Sequence, residues 1–276
     1  MKTVDSRLQL TLDVIIPVLN GEQFIREALE SIDKLNEQPE RIILLDNCST
    51  DQTALIMKTW AVGKSNVEFY QTERVLGFAE NWNYGLSLSN SDYVHFLAHD
   101  DKLHPNFVKT FKKIAKKQVA ATAYIFRAGV FGDKSKSFVK TFSIPIEYVL
   151  NSRKHLLRSV LRNPFNLAGG VFHREKISAI NFMNPEYSIW SDWVLWQNVL
   201  MTGSLIRSFR IMSFYRVHSD LEKKMEREQL VIKDLELMVK NQLPIIFNKL
   251  NLSQAKQNSL IQKMISNVQI DASLKN

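Results

Sequence analysis

The sequence has one cysteine and no long hydrophobic run, and both absences limit the class of protein. Cys48 is the only cysteine among 276 residues, so no internal disulfide can form, and we expect a reducing compartment such as the cytoplasm. Asp5 and Arg7 interrupt the apolar core that an export signal would need. Apolar runs such as residues 14–19 fall far short of the roughly 20 residues that cross a bilayer. We therefore predict neither export nor a membrane span.

Several common catalytic and nucleotide-binding motifs are also missing from the sequence. There is no P-loop and no Gly-x-Gly-x-x-Gly, which removes the main support for a standard NTPase or a dinucleotide enzyme. There is no Gly-x-Ser-x-Gly either, so a serine hydrolase elbow is not indicated. One cysteine without a paired histidine motif does not give the ligand spacing of a zinc site.

The composition is that of an ordinary globular protein with a basic surface. Hydrophobic residues make up 45% and charged residues 23%, and the formal net charge is +8. Six lysines fall within residues 102–117. Such a surface suits nucleic acid, anionic lipid headgroups or phosphorylated substrates, but a lysine run is as often only the solvated face of a helix.

Short apolar runs alternate with helical periods along the first 119 residues. Strands are predicted over residues 12–18, 41–45, 67–70 and 93–98, and helices over 24–35, 54–60, 78–88 and from Pro105 onward. Such alternation predicts an α/β fold with a mostly parallel central sheet flanked by helices.

The pattern changes after residue 120. Shorter strands are predicted over residues 122–126, 137–142, 168–172 and 211–215, with a hairpin turn at 132–135 and a helix over 191–201. From about residue 221 we predict a charged helical extension, broken near Pro244, that is an appendage, a dimerisation element or a membrane-surface helix pair.

Polar clusters follow three of the predicted strands, at residues 20–22, 46–51 and 99–101. Ligands of parallel sheets lie outside the carboxyl ends of the strands, so these clusters should line one crevice. Asp46 is either a nucleotide anchor or a residue that caps the next helix or shapes a turn. Asp100 and Asp101 are either ligands of a divalent cation or part of a solvated turn.

Two further groups are candidates for chemistry. Asp192 lies among tryptophans at 190, 193 and 196, where an apolar environment would raise its pKa and suit a general base, although a helix N-cap would have the same pattern. His218 follows Tyr215 and Arg216. It is either a ligand for metal or phosphate or merely structural.

The order of these segments resembles the family-2 glycosyltransferases, inverting enzymes with the GT-A fold, over about residues 12–218. The matching segments are VIIPVLNGEQFI, LDNCSTD, RVLGFAENWNYGL, FLAHDDKLHP, IWSDWVLWQNVLMTG and FYRVH. The resemblance implies Asp192 as the catalytic base and a Mn²⁺ or Mg²⁺ ion at Asp100, with Asp101 and His218 as further ligands. It also implies a nucleotide-sugar site made of Pro17, Val18, Asn20, Glu22, Asp46, Arg74, Gly77, Asn81, Asn83, His99 and Asp100.

Three residues depart from the family pattern. Asn47 stands where the family often has a second Asp, and Ala98 stands at the first Asp of Asp-x-Asp when Asp100 is aligned with the second. Ser191 replaces the Glu that often precedes the base. Metal binding is the part of the resemblance that these departures weaken most.

The resemblance also implies a domain organisation and a set of partners. A GT-A domain would span residues 1–220, with a nucleotide-binding half at 1–119 and an acceptor-binding half at 120–220, followed by the helical extension at 221–276. The donor would be a UDP-sugar, and the acceptor a glycan or lipid-linked glycan of the cell envelope. Segments 165–172 and 190–196 would form an apolar wall for that acceptor.

Peripheral contact with the inner membrane face and a homodimer through the C-terminal helices are further expectations, and no nucleic acid is expected. The alternatives are a nucleotidyltransferase, a basic nucleic-acid-binding protein and a catalytically inactive scaffold. A nucleotidyltransferase would need a Gly-rich basic loop after the first strand, which NGEQ does not supply.

Overall fold

The computed structural model describes residues 10–117, 121–132, 146–150, 152–217 and 224–273. Within these ranges one sheet has the strand order β3-β2-β1-β4-β8-β6-β9-β5, with β7 paired to β9. The strands are β1 Leu12–Val18, β2 Arg41–Asp46, β3 Val67–Gln71, β4 Tyr93–Phe96, β5 Lys102–Leu103, β6 Ala123–Phe131, β7 Glu147–Val149, β8 Gly170–His173 and β9 Leu205–Arg216.

Helices cover both faces of the sheet and continue beyond its last strand. They are α1 Ile25–Asp33, α2 Thr53–Ala61, α3 Phe78–Leu88, α4 Phe107–Ala115, α5 Ser152–Ser159, α6 Arg174–Ser178, α7 Ser191–Thr202, α8 Lys224–Leu237, α9 Leu243–Leu250 and α10 Gln254–Ser273. This arrangement confirms the predicted α/β fold with helices flanking a central sheet and following it at the C-terminal end.

The first half of the sheet is parallel, as its alternating strands and helices predict. β1 lies between β2 and β4 and is parallel to both, and β3 extends the same order. Ile15 belongs to one apolar cluster, with residues of α3 and α7, whereas Val14 and Ile16 belong to the other, with residues of α1 and α4. This period of two buries β1 on both faces.

The second half of the sheet mixes strand directions. β8 runs antiparallel to both β4 and β6, while β6 and β9 are parallel to each other. β9 is longer than the predicted strand at 211–215 because it begins at Leu205. The strand predicted at 137–142 lies outside the described residues, as does the hairpin turn apart from Gly132.

The C-terminal helices pack against the sheet domain. α8 continues through a π-helical turn, Met238–Gln242, directly into α9. The helix is not broken near Pro244 as predicted; instead a π-helical turn directly precedes this proline, which lacks the N–H donor of a helical hydrogen bond. Met238, Phe247 and Met264 are buried in the cluster that also contains residues of α5 and α7.

The buried face of α8 also differs from its apolar pattern. Leu230 and Ile232 are exposed, whereas Asp234 and Met238 are fully buried one helical turn apart. None of the helices in the described ranges has the length and apolar character to span a bilayer.

Candidate active site

The loops that follow β1 and β2 are held together by mutual hydrogen bonds. The Asn20 side-chain oxygen accepts from the Thr50 backbone N–H at 2.9 Å, and the Asn20 N–H donates to the Ser49 hydroxyl at 2.9 Å. The Gly21 N–H donates to the Thr53 hydroxyl at 2.8 Å. Asn20 has φ 51°, a left-handed conformation that asparagine tolerates.

Glu22 completes this pair of loops. Its carboxylate accepts from the Gln52 N–H at 2.9 Å, and its own N–H donates to the Asp51 carboxylate at 3.1 Å. Asp51 in turn accepts from the Thr53 N–H at the start of α2. The predicted nucleotide residues Asn20 and Glu22 are therefore exposed but fixed in position by the neighbouring loop.

Asp46 shapes the turn after β2. It is fully buried, and its carboxylate accepts from the Gln71 side chain at 2.7 Å and from the Ser49 N–H at 3.3 to 3.4 Å. This geometry matches one of the two interpretations of Asp46, and its contact with a nucleotide stays a prediction. Pro17 and Val18 are buried at the adjoining end of β1.

Asn47 ties the turn to the segment that precedes α3. Its side-chain amide donates to the Leu76 carbonyl at 2.9 Å, while its oxygen accepts from the Leu76 N–H at 2.8 Å and from the Thr72 hydroxyl at 3.2 Å. Arg74 is exposed, and the Gly77 N–H donates to Glu80 at the start of α3. An aspartate at 47 could accept these bonds but could not donate the one to Leu76.

The two asparagines of α3 have different surroundings. Asn81 is buried, and its side-chain oxygen has no hydrogen-bond partner among the described residues. Asn83 donates to the Met183 carbonyl at 2.7 Å and accepts from the Met183 N–H at 3.0 Å. Of the two, Asn81 therefore keeps an oxygen for a ligand, whereas the amide of Asn83 joins α3 to the segment after α6.

The segment after β4 packs directly on the loop after β1. A Cβ at Gly21 would lie 2.7 Å from Cδ2 of His99, so only glycine allows this approach. Asp101 is buried, and its carboxylate accepts from the Arg216 N–H at 2.9 Å. Burial raises the pKa of Asp101 to about 7, the charge of Asp100 adds to the rise, and the hydrogen bond from Arg216 opposes it.

Arg216 fixes the end of β9 to this segment. Its Nε donates to the Asp100 carbonyl at 3.0 Å, and its guanidinium pairs with Glu27 at 3.0 Å. The guanidinium also lies between the rings of Phe24 and Phe131, 4.6 and 4.4 Å from their centroids. Arg216 therefore fixes the end of β9 next to the segment that follows β4.

The predicted metal ligands fit a divalent cation only in part. Asp101 is turned toward the backbone of β9, His218 lies outside the described residues, and in the described ranges no three Asp, Glu, His or Cys side chains converge on one point. Asp100 remains. One carboxylate suits Mg²⁺ when the other ligands are water and substrate phosphates.

Asp192 lies in the first turn of α7, on a separate element from the loops described above. Its carboxylate accepts from the Asn163 side-chain amide at 2.8 Å. Burial raises the pKa of Asp192 to about 6, and the hydrogen bonds from Asn163 and from the helix backbone oppose that rise. At neutral pH the group is a carboxylate poised to accept a proton.

The tryptophans around Asp192 belong to the core. Trp193 and Trp196 are buried, and the Trp193 indole donates to the Ser159 carbonyl at 2.6 Å. Phe172 is fully buried and stacks on Trp196. The prediction of an apolar wall exposed to the acceptor is therefore wrong for these three side chains, because the sheet and α5 cover them.

A buried carboxylate from α8 holds the segment that precedes α7. Asp234 is fully buried and accepts from the backbone N–H groups of Ser188, Ile189 and Trp190 at 2.7 to 3.1 Å. Trp190 is two residues before Asp192. Asp234 therefore fixes the backbone that leads into the first turn of α7.

Sequence reasoning missed both residues that hold the region of Asp192. Asn163 is 29 residues from Asp192 along the chain, and no motif marks it. Asp234 lies between apolar residues of α8, in a stretch whose charged residues predict a solvent-facing helix.

The family model described as glycosyl transferase family 2 matches residues 13–172. An uncharacterized glycosyltransferase of Rickettsia felis is 24% identical over 217 residues, which cover 77% of this chain and 35% of that protein. Glycosyltransferase GlyG of Streptococcus pneumoniae is 28% identical over 99 residues, covering 36% of this chain and 33% of that protein. The matches thus span about a third of the length of these two relatives.

The fold is similar to that of a solved structure. The crystal structure of S. aureus TarS 1-349 in complex with UDP-GlcNAc matches 94% of this chain and 72% of that chain, with a TM-score of 0.67 and 16% sequence identity. At this identity the likeness concerns the fold, which agrees with the GT-A fold implied by the sequence motifs.

Proposed function

Since this chain belongs to glycosyltransferase family 2, we propose that it is an inverting enzyme that transfers a sugar from a nucleoside diphosphate donor to an acceptor hydroxyl. The observation that carries the proposal is the environment of Asp192, a carboxylate with a pKa near 6 that is oriented by Asn163. A base with this pKa is ionised at neutral pH and still accepts a proton efficiently.

The reaction proposed is a direct displacement. Asp192 takes the proton of the acceptor hydroxyl while the hydroxyl oxygen attacks the anomeric carbon of the donor sugar. The bond from that carbon to the diphosphate breaks on the opposite side, so the configuration inverts. The bound TarS structure contains UDP-GlcNAc, and by this analogy we propose a UDP-sugar as the donor of this chain.

The proposed donor site uses the loops after β1, β2 and β4. Asn20 and Glu22 are exposed and rigidly held, Asn81 has an unpaired oxygen among the described residues, and the segment of Arg74 and Gly77 is tied down by Asn47. Such prior fixing lowers the entropy lost on binding. Pro17, Val18, Asp46, Asn83 and His99 remain proposed contacts or supports of this site.

A divalent cation would be held by Asp100 and by diphosphate oxygens of the donor. When bound, Mn²⁺ or Mg²⁺ would neutralise charge on the leaving diphosphate. With one protein carboxylate, we expect metal affinity to depend on bound nucleotide.

We propose a glycan or lipid-linked glycan as the acceptor, reached by peripheral contact with a membrane. The lysine run at 102–117 supports this contact only in part, because Lys102 pairs with Glu27 and Lys112 pairs with Glu37 and Glu40. Flotation with vesicles of phosphatidylglycerol and phosphatidylcholine at low salt tests it, and a protein that stays at the bottom of the gradient contradicts it.

The donor assignment is tested by calorimetric titration with UDP, GDP and dTDP, each with and without Mn²⁺, followed by hydrolysis assays of the corresponding nucleotide sugars. We expect UDP to bind most tightly and UDP-sugar to be hydrolysed slowly without acceptor. Binding of none of the three would overturn the proposal. Binding of UDP without hydrolysis or transfer of any UDP-sugar would favour the inactive scaffold instead.

A further inference from the structure

A small cavity lies between β6, β9 and the segment before the short 3-10 helix Leu167–Gly169. Its volume is about 190 Å³, and the residues that line it include Arg127, Arg207, Phe165, Asn166 and Tyr215. Sites that enclose a whole small molecule have volumes of about 300 to 1,000 Å³. This cavity therefore suits one charged group of a larger ligand rather than a complete nucleotide sugar.

Two arginines from adjacent parallel strands face this cavity. Arg207 of β9 is paired with Ile125 of β6, and Arg127 lies two residues further along β6. The Arg207 guanidinium lies 5.7 Å from the ring centroid of Phe165 and 5.2 Å from that of Phe209. These cation–π contacts hold Arg207 in place without neutralising it.

Neither arginine has a carboxylate partner in the ranges that the structure describes. Arg41, Arg174, Arg210 and Arg216, by contrast, each pair with a glutamate. Two guanidinium groups that share a partly buried cavity repel each other, and an anion relieves the repulsion. The planar fork of arginine matches the paired oxygens of a phosphate or a carboxylate.

The cavity adjoins the proposed base. The segment that supplies Phe165 and Asn166 begins with Asn163, whose amide bonds Asp192 at 2.8 Å. On the other side, Tyr215 precedes Arg216, which binds the Asp100 carbonyl. The lining segments of the cavity are therefore joined to the base through Asn163 and to the segment of Asp100 through Arg216.

We propose that this cavity binds an oxyanion of the acceptor, a phosphate or a carboxylate attached near the hydroxyl that receives the sugar. The proposal rests on the proposed function, since it assigns the acceptor of that reaction. It makes Arg127 and Arg207 acceptor-binding residues, with Phe165 as the support of Arg207.

The test is a titration of the full chain, saturated with UDP, with two anionic probes and their neutral counterparts. Glycerol 3-phosphate is compared with glycerol, and glucuronate with methyl glucoside, by ligand-observed NMR. We expect at least one anion to bind and both neutral compounds to fail. The pair that responds identifies phosphate or carboxylate as the group recognised.

Four single variants assign the binding to the cavity. Arg127→Gln and Arg207→Gln should each raise the dissociation constant of the anion about tenfold, the loss of one charge-assisted bidentate contact. Arg162→Gln removes the same charge from an exposed position next to Asn163 and should change it less than twofold. Arg207→Lys keeps the charge and should lose less affinity than Arg207→Gln, with melting temperatures confirming that each variant is folded.

Equal binding by the Arg127→Gln/Arg207→Gln double variant would overturn the proposal, as would an equal loss in Arg162→Gln. Displacement of the anion by UDP would also overturn it, because the cavity would then belong to the donor. The same titration is repeated without UDP, and this second titration needs neither a bound donor nor a transfer reaction. Failure of the donor to bind would therefore contradict the proposed function while leaving the anion result intact.

Discussion

The two halves of the molecule hold their proposed functional groups in different ways. In the first half, the loops after β1 and β2 bond one another through neighbouring short segments, at 20–22 and 46–53. In the second half, Asp192 is oriented by Asn163, and the backbone leading to it is bonded by Asp234. The first arrangement has many supports and the second has few, and in both the partners are about 30 or more residues apart in sequence.

This difference has a consequence for substitution. A hydrogen bond removed from the first half leaves several others in the same pair of loops, whereas Asp192 has one side-chain partner, Asn163, in the described part of the chain. We therefore expect single substitutions to have larger effects on catalysis in the second half. Four predictions test this contrast.

The largest effect is expected for Asp192→Asn. Loss of a general base costs about 100- to 10,000-fold in rate, and the transfer rate with saturating donor should fall within that range. The amide oxygen of the substituted side chain can still accept from Asn163, so the local structure should persist. Transfer is measured with radiolabelled donor, and nucleotide binding by calorimetry should be unchanged.

The same variant should not lose stability. The folded pKa of Asp192 is about 6 against an ordinary value of 3.8, so the folded protein binds this proton more tightly and loses stability as pH rises from about 4 to 6. Asp192→Asn removes that cost, and its melting temperature at pH 7 should equal or exceed the parent value. Full activity would contradict the role of Asp192 as the base, and a lower melting temperature at pH 7 would contradict the stability prediction.

Asp234→Asn should have the next largest effect. An amide replaces one acceptor oxygen with an N–H₂ group that faces backbone donors, which leaves buried N–H groups unpaired. Displacement of Asp192 by about 1 Å can cost about 100-fold in rate. We expect kcat to fall by about 10- to 100-fold while the KM of the donor changes little.

The matched control for Asp234 is Glu236→Gln, which removes the same charge from an exposed position of α8. It should keep the parental rate. A purely structural role for Asp234 would lower the melting temperature and the fraction of active protein without a change in kcat per folded molecule, and that result would remove Asp234 as a positioning residue.

Asn47→Asp tests the first half of the molecule. The carboxylate cannot donate to the Leu76 carbonyl, and it would lie close to that oxygen. The segment of Arg74 and Gly77 should loosen, and the dissociation constant of UDP should rise about tenfold, equivalent to about 1.4 kcal/mol. Tighter UDP binding in Asn47→Asp would show that the family's second Asp has its usual role here.

The sequence allowed the first half to be predicted well because its determinants are local. Buried apolar runs such as Leu12–Val18 and helical spacing in α1 specify the parallel strands and their helices. The polar segments follow those strands directly, so their meeting at one sheet edge follows from strand direction alone. The length of β9 and the mixed strand order required long-range pairing that no local pattern shows.

Side-chain partners in the second half were not predictable either, because they also depend on contacts between segments that are far apart in the sequence. The tryptophans near Asp192 have the pattern of a surface wall or of a core, and only the packing of α5 decides between them. The burial of Asp234 depends on three backbone N–H groups that are 44 to 46 residues away. Metal binding at Asp100 and the convergence of Asp192 with the donor loops stay predictions.

Asn163→Ala should have the smallest effect and gives the sharpest test of how Asp192 is tuned. Its amide stabilises the ionised form of Asp192 and so holds down a pKa that burial raises. Without this bond the pKa should rise above about 6. Because the base acts only when deprotonated, the kcat/KM profile should shift to higher pH, with the rate near neutral pH reduced a few fold.

Asn163→Asp extends the same series, since a second carboxylate disfavours ionisation of Asp192 more strongly than loss of the amide does. The midpoints of the three kcat/KM profiles should therefore rise in the order parent, Ala, Asp, with the activity of each variant lost as pH falls through its midpoint. A common midpoint in all three would mean that the titrating base is another group. Asn163 would then only support the segment 163–166. The base in the second half of the molecule would be no more sensitive to a single substitution than the loops in the first half.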